Sequence, residues 1–255
     1  GEYTLRDLPR AAVLYDTACA AKVGQGCTNL AVMLQKGTRE SGLKKDSVRA
    51  AKLLQQGCEQ NAMEGCARLG ILYHKGAGVP KNLPQAVALF QRACTGADML
   101  GCSSLATLYA SGEGITQDFT QAASLFKKAC DTKLAIGCVG LGRLHAAGTG
   151  ATRSDSIAVA LFKAACKGRE RAGCFDLATV YETGRGVTQN YERAASLYRE
   201  TCDERNGEAC ARIATMYEKG AGVYRDPARG KEFRKKACDA GHAESCQKPT
   251  LPAAT

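Results

Sequence analysis

The chain has 255 residues, 45 % of them hydrophobic and 24 % charged, with a formal charge of +10, three histidines and no tryptophan. That balance excludes a disordered chain, and no run approaches the ~18 apolar residues of a membrane span. No charged-then-apolar export segment is present, so the sequence is expected to be a mature or trimmed product.

The 14 cysteines and 28 glycines organise everything else. The cysteines pair along the chain as Cys19 and Cys27, Cys58 and Cys66, Cys94 and Cys102, Cys130 and Cys138, Cys166 and Cys174, Cys202 and Cys210, and Cys238 and Cys246. Every pair is C-x7-C, and from Cys58 onward the pairs recur every 36 residues. A period of this length signals a solenoid of supersecondary units.

In chain order, residues 7–19, DLPRAAVLYDTAC, match the second helix of a hairpin (helix B) with no first helix (helix A) before it. Helix A follows from Cys27 and stops at Gly37. The segment Gly37 to Leu43 carries three extra residues, so this repeat is expected to depart from the others in geometry. From there the pattern is regular. Helix A bears an apolar stripe on a 3.6-residue period, as in Leu69, Gly70, Leu72 and Tyr73, or Leu105, Ala106, Leu108 and Tyr109. It ends at Gly76, Gly112, Gly148, Gly184 or Gly220, and a second glycine follows two residues later. Helix B begins behind a good N-cap residue in all seven places: Asp7, Asp46, Asn82, Asp118, Ser154, Asn190 and Asp226. Its stripe mixes alanines with large apolars, as in Ala86, Val87, Leu89, Phe90 and Ala93, so that neighbouring helices can approach closely. In the last helix B, Lys231 and Arg234 replace the Val87 and Phe90 columns, and Pro249 and Pro252 oppose a further full helix. Residues 226–248 are therefore expected to form a solvent-facing cap, and 249–255 a loose tail.

Each cysteine pair joins the end of one helix B to the start of the next helix A. A bridge closing such a nine-residue ring stabilises by about 2.5 kcal/mol in the chain-entropy model. Even count and local spacing favour disulfides over zinc, because no CxxC occurs and the histidines do not recur with the cysteines. A redox-active pair is the remaining alternative, although nothing singles one out.

The recurrence of GC-x2-LA-x-LY-x2-G-x-GV and A-x2-LF-x-KAC resembles the Sel1-like repeats, relatives of the tetratricopeptide repeat, and is similar to the Helicobacter cysteine-rich proteins. The match runs over residues 5–248. The resemblance implies an all-α fold, an α/α superhelix of about seven hairpins in a single solenoid domain over residues 1–248, with a partial first repeat at 5–19 and a disulfide within each C-x7-C pair. It also implies a periplasmic or secreted location, with the mitochondrial intermembrane space as the alternative. Proteins of this kind are mostly adaptors, whose partners include toxins, envelope regulators and host proteins; penicillin binding or weak β-lactamase activity is the alternative it suggests.

If helix A lines the concave face, positions two, five and eight after the second cysteine should read a partner. The candidates are Asn29, Arg68, His74, Ser104, Thr107, Arg143, Asp176, Glu182, Arg212 and Glu218. They predict a groove that is basic or neutral near Arg68, His74 and Arg143 and mixed beyond. Tyr73, Tyr109, Tyr181 and Tyr217 fall in the core stripe and are expected to pack rather than bind.

The case for catalysis is thin. Ser124 with Lys127, and Ser41 with Lys44, form S-x-x-K, but neither S-D-N nor K-T-G accompanies them, and no histidine is expected beside a nucleophile. No cofactor or metal is called for. The lysines and arginines spread over helix ends, where they suit the helix dipole, which argues against nucleic acid and for an acidic protein or anionic surface.

Overall fold

The computed structural model describes residues 7–37, 43–203 and 205–246. Among them are thirteen α-helices of 13 residues each: α1 (Leu8–Ala20), α2 (Gly24–Lys36), α3 (Ser47–Glu59), α4 (Met63–Lys75), α5 (Leu83–Thr95), α6 (Met99–Ser111), α7 (Phe119–Asp131), α8 (Ala135–Ala147), α9 (Asp155–Lys167), α10 (Arg171–Thr183), α11 (Tyr191–Asp203), α12 (Gly207–Lys219) and α13 (Pro227–Asp239). One 3-10 turn, Ala243–Cys246, follows. The even-numbered helices are A and the odd-numbered are B. Equal lengths keep the hairpins in register. The chain divides into two compact units, Gly1–Thr132 and Lys133–Thr255, each an α-helical solenoid segment.

All seven expected N-caps of helix B form, each side chain accepting an N–H from the first turn: Asp7 from Arg10, Asp46 from Arg49, Asn82 from Gln85, Asp118 from Gln121, Ser154 from Ile157, Asn190 from Arg193 and Asp226 from Arg229. Asp98, Glu170 and Asn206 cap A helices in the same way, a signal absent from the sequence reading. Helix A ends in a left-handed glycine at Gly76, Gly112, Gly148, Gly184 and Gly220. Gly37 instead adopts φ 55° and ψ 107°, in keeping with the insertion, whose residues 38–42 lie outside the described ones. The same holds for Ser41, for residues 5 and 6, and for the tail beyond Cys246.

The first unit buries the small and large stripes of facing helices, among them Leu54, Leu69, Leu72 and Leu89 in one cluster and Phe90, Leu105 and Leu108 in another. The second unit is built around Phe162, Leu177, Tyr198, Ile213, Met216 and Phe233, with Tyr217 stacked on Phe233 at 5.5 Å between ring centroids. Tyr181 and Tyr217 are buried as expected, whereas Tyr73 and Tyr109 are half-buried against the first unit's clusters.

Disulfides join Cys19–Cys27, Cys58–Cys66 and Cys94–Cys102 in the first unit and Cys166–Cys174, Cys202–Cys210 and Cys238–Cys246 in the second. Cys130 and Cys138 are oxidised too. Inside each turn the residue three after the first cysteine is left-handed. It is glycine only at Gly241. Elsewhere Lys22, Asn61, Ala97, Lys133, Arg169 and Arg205 hold φ between 59° and 68°. Such a backbone costs an L-residue about 1–2 kcal/mol, so the turn is held by helices and bridge rather than chosen by its own residues.

Hairpins lock onto one another through the loop after helix A. In the second unit an ideal Cβ on Gly186 would lie 2.6 Å from the carbonyl of Asp155, and one on Gly222 would overlap the main chain of Tyr191. Each loop therefore rests on the N-terminus of the preceding helix B. Arg185, between Gly184 and Gly186, reinforces this by donating to the Ala146 carbonyl at 3.1 Å and to Asp155 at 2.8 Å.

Candidate partner-binding faces

None of the ten candidate residues is buried, because each sits on the A-helix face opposite the core stripe. In the first unit, Gln25 on α2 donates to Asn29 at 3.1 Å and across to Glu64 on α4 at 3.1 Å. Glu64 also accepts from Arg68 Nε at 2.8 Å. Burial works against ionisation of Glu64, yet the Arg68 and Gln25 hydrogen bonds outweigh it and hold its carboxyl below the ordinary range. His74, at the end of α4, lies 3.0 Å from Glu113 in the loop after α6, and Lys81 donates to the other oxygen at 3.0 Å. Those two bonds, that from His74 first, lower the Glu113 carboxyl. Thr107 is exposed with its hydroxyl on the Ser103 carbonyl, and Ser104 is half-buried beside it.

In the second unit Arg143 on α8 grips Asp176 on α10 with Nε at 2.7 Å and Nη2 at 3.3 Å. Burial nonetheless pushes the Asp176 carboxyl up, against Arg143's effect. Glu182 accepts from the Tyr198 hydroxyl at 2.7 Å, and that hydroxyl lies 3.1 Å from Thr179. Burial, first of all, drives the Tyr198 phenol far above its usual range. Arg212 lies 3.7 Å from Glu182 and donates to Glu208 at 2.9 Å. Glu218 takes a two-pronged grip from Arg234, at 2.6 and 2.7 Å, which lowers its carboxyl.

Near Arg68, His74 and Arg143 each basic side chain meets a carboxylate from its own or the next helix A, or from the loop after it, so the face lies toward the neutral end of the expected basic-or-neutral range. Two expectations change. Arg234 does not simply face solvent: in the column filled elsewhere by Phe90, Phe126 and Phe162, its guanidinium bends back onto Glu218, as the Tyr198 hydroxyl bends onto Glu182. A histidine does stand beside a hydroxyl: His242 Nδ1 is 2.9 Å from Ser245 Oγ, with Nε2 3.0 Å from Glu208. His242 occupies the N-cap column of Asp98, Glu170 and Asn206, but its ring meets the Ser245 side-chain hydroxyl where those caps accept from a backbone N–H. Lys127 of the S-x-x-K pair is drawn to Asp131 at 2.7 Å and not to Ser124.

Gln25, Glu64 and Glu208 escaped the sequence reading although each lies four residues before a candidate, one helical turn along the same face. Two clefts beside the disulfide turns, one of ≈ 280 Å³ between Arg169, Arg171, Glu200 and Thr201 and one of ≈ 290 Å³ between Asp203, Arg205, Lys236 and Asp239, fall at or below the ~300–1,000 Å³ of ordinary ligand pockets. Among the described residues no cluster of three potential metal ligands occurs, and no helix is long and apolar enough to cross a membrane. The oxidised cysteines mark an oxidising compartment outside the cytoplasm.

The family model described as the Sel1 repeat matches residues 24–61, 64–98, 100–131, 135–169, 171–206 and 207–242. Among solved structures, a protective antigen of uropathogenic Escherichia coli with an SLR fold is 22 % identical with a TM-score of 0.70, over 92 % of this chain and 50 % of the antigen. The chain thus spans half the length of that protein. A Helicobacter pylori cysteine-rich protein is 30 % identical over 51 % of this chain and 92 % of its own, with a TM-score of 0.38. An immunity protein from Pseudomonas aeruginosa is 17 % identical over 90 % of this chain and 88 % of its own, with a TM-score of 0.58. The chain matches no curated protein.

Proposed function

The chain belongs to the Sel1 repeat family, and we propose that it is a rigid protein-capturing scaffold of the periplasm or the secreted space that inhibits or regulates its partner rather than catalysing a reaction. The observation that carries this reading is the A-helix face of each unit, whose polar side chains are exposed or half-buried and whose charges are held in place by neighbours, as in Arg143 with Asp176 and Arg68 with Glu64. Such a face loses little side-chain freedom on binding, which favours recognition of a polar protein surface. Stapled turns and capped helices supply the rigidity. The immunity protein of Pseudomonas aeruginosa shares the fold at low identity and suggests inhibition of a toxin as one use.

The test is cross-linking and affinity capture from envelope or secreted extract. Wild type is compared with Ser104→Arg and Thr107→Arg in the first unit and with Arg143→Glu and Arg212→Glu in the second. Loss of one captured protein in a face variant that melts like wild type supports the reading; capture indifferent to all four substitutions refutes the A-helix face. The penicillin-binding alternative is checked in parallel with nitrocefin, using Ser245→Ala because of the His242 contact.

A further inference from the structure

Two guanidinium groups on one edge of the second unit differ from the paired charges of the A-helix faces. Arg193, in the first turn of α11, lies 5.5 Å from the ring centroid of Tyr181 and donates to its hydroxyl at 3.2 Å. Arg229, in the first turn of α13 and 36 residues later, repeats the arrangement on Tyr217 at 5.7 and 3.5 Å. Among the described residues neither guanidinium meets a carboxylate. The same column reads Arg10, Arg49, Gln85, Gln121 and Ile157 in earlier repeats, but the tyrosine position before Arg49 is Leu34 and no helix A is described before Arg10, so among the described residues the Tyr–Arg element belongs to the last two full hairpins.

The surroundings of these arginines are unusual for a solvated edge. Gly222 rests against the main chain of Tyr191, which brings the loop bearing Tyr224 onto the start of α11. Tyr191 is 42 % exposed, Tyr224 97 % and Ile157, one repeat before Arg193, 46 %. Tyrosine and arginine dominate binding hot spots, since each offers a large flat surface with a polar end. A guanidinium already stacked on a ring has surrendered much of its rotamer freedom, yet the phenol takes only one of its five N–H groups. Both arginines are exposed, and the remaining N–H groups can match the two oxygens of a carboxylate.

We propose that this edge docks an acidic segment of a partner protein, with one carboxylate on Arg193, another on Arg229, and Tyr191 and Tyr224 gripping the chain between and beside them. The inference rests on the protein-binding reading but assigns a different surface and a partner chemistry. The excess of positive charge on the whole chain, +10, steers such a segment inward.

The probe is a fluorescent hexaglutamate peptide titrated at about 0.15 M salt, where long-range attraction is screened beyond roughly 8 Å. The double variant Arg193→Gln/Arg229→Gln is expected to weaken binding about thirtyfold, the size of one lost hot-spot contact, and Tyr224→Ser to weaken it severalfold. Arg169→Gln/Arg205→Gln removes the same charge from the disulfide-turn edge and is expected to change binding less than twofold. Absence of binding, or equal losses in the two double variants, overturns the proposal. So does displacement of the peptide by a sulfated oligosaccharide or by phosphatidylglycerol vesicles that depend on the same two arginines. If the edge fails while A-helix variants still abolish capture, the scaffold reading stands without it.

Discussion

Replacing Gly186 by alanine probes how successive hairpins are held together. Gly186 adopts φ +72°, and its ideal Cβ falls 2.6 Å from both the carbonyl carbon and oxygen of Asp155 at the start of α9. The left-handed backbone alone costs alanine about 1–2 kcal/mol, and a methyl forced against rigid main chain adds about 1–3 kcal/mol. The total is a loss of about 2–5 kcal/mol. Gly241 supplies the control, because it is also left-handed, at φ +90°, but nothing lies within 4 Å of its Cβ. Gly241→Ala is therefore expected to lose only the backbone part, and Ala97 at φ 62° shows that alanine can occupy such a turn. Urea unfolding of the oxidised protein followed by circular dichroism measures the difference, and hydrogen exchange at the start of α9 locates it. If the two variants lose the same stability and α9 exchanges as in wild type, the loop does not clamp the preceding helix and the account of repeat stacking is wrong.

Removing the Cys166–Cys174 bridge by a double serine substitution is expected to cost about 2.5 kcal/mol, read by the same unfolding experiment, since its nine-residue ring constrains the unfolded chain. Glu218, lowered by the hydrogen bonds of Arg234, contributes stability above its unfolded value and loses it as pH falls through its folded value. Glu218→Gln should thus be less stable than wild type at pH 7, and the gap should close below about pH 4. Asp176 behaves oppositely. Burial raises it, so its contribution is present below the unfolded value and lost as pH rises through the folded one. Asp176→Asn should remove that loss, and melting curves from pH 4 to 7 should show the variant gaining on wild type as pH rises; a steady deficit would count against the burial argument.

Much of the architecture was legible in the chain because it is local. The C-x7-C period, the seven caps of helix B and the alternating stripes each involve residues within a few positions of one another, and a helix terminus or a nine-residue ring satisfies its own hydrogen bonds and geometry wherever it stands. Tyr181 and Tyr217 of the tyrosine column are buried for the same reason, since a 3.6-residue period decides which face is covered, while Tyr73 and Tyr109 in the same column are only half-buried. Even here the left-handed Lys22, Ala97 and Arg169 were invisible, because their backbone is imposed by two helices meeting at a bridge and not by the residues' own preference.

The candidate faces were legible only as positions. That Arg143 meets Asp176, 33 residues away, that Arg185 reaches the Ala146 carbonyl, 39 away, and that Arg234 turns back 16 residues to Glu218 all depend on how one hairpin is rotated and shifted on another. No single repeat encodes that rotation. It emerges from glycine loops pressed onto preceding helices and from side-chain volumes shared across hairpins, so the sequence by itself determined what each repeat is, and the tertiary structure decided which charges pair with a carboxylate and which, at Arg193 and Arg229, rest on a tyrosine ring instead.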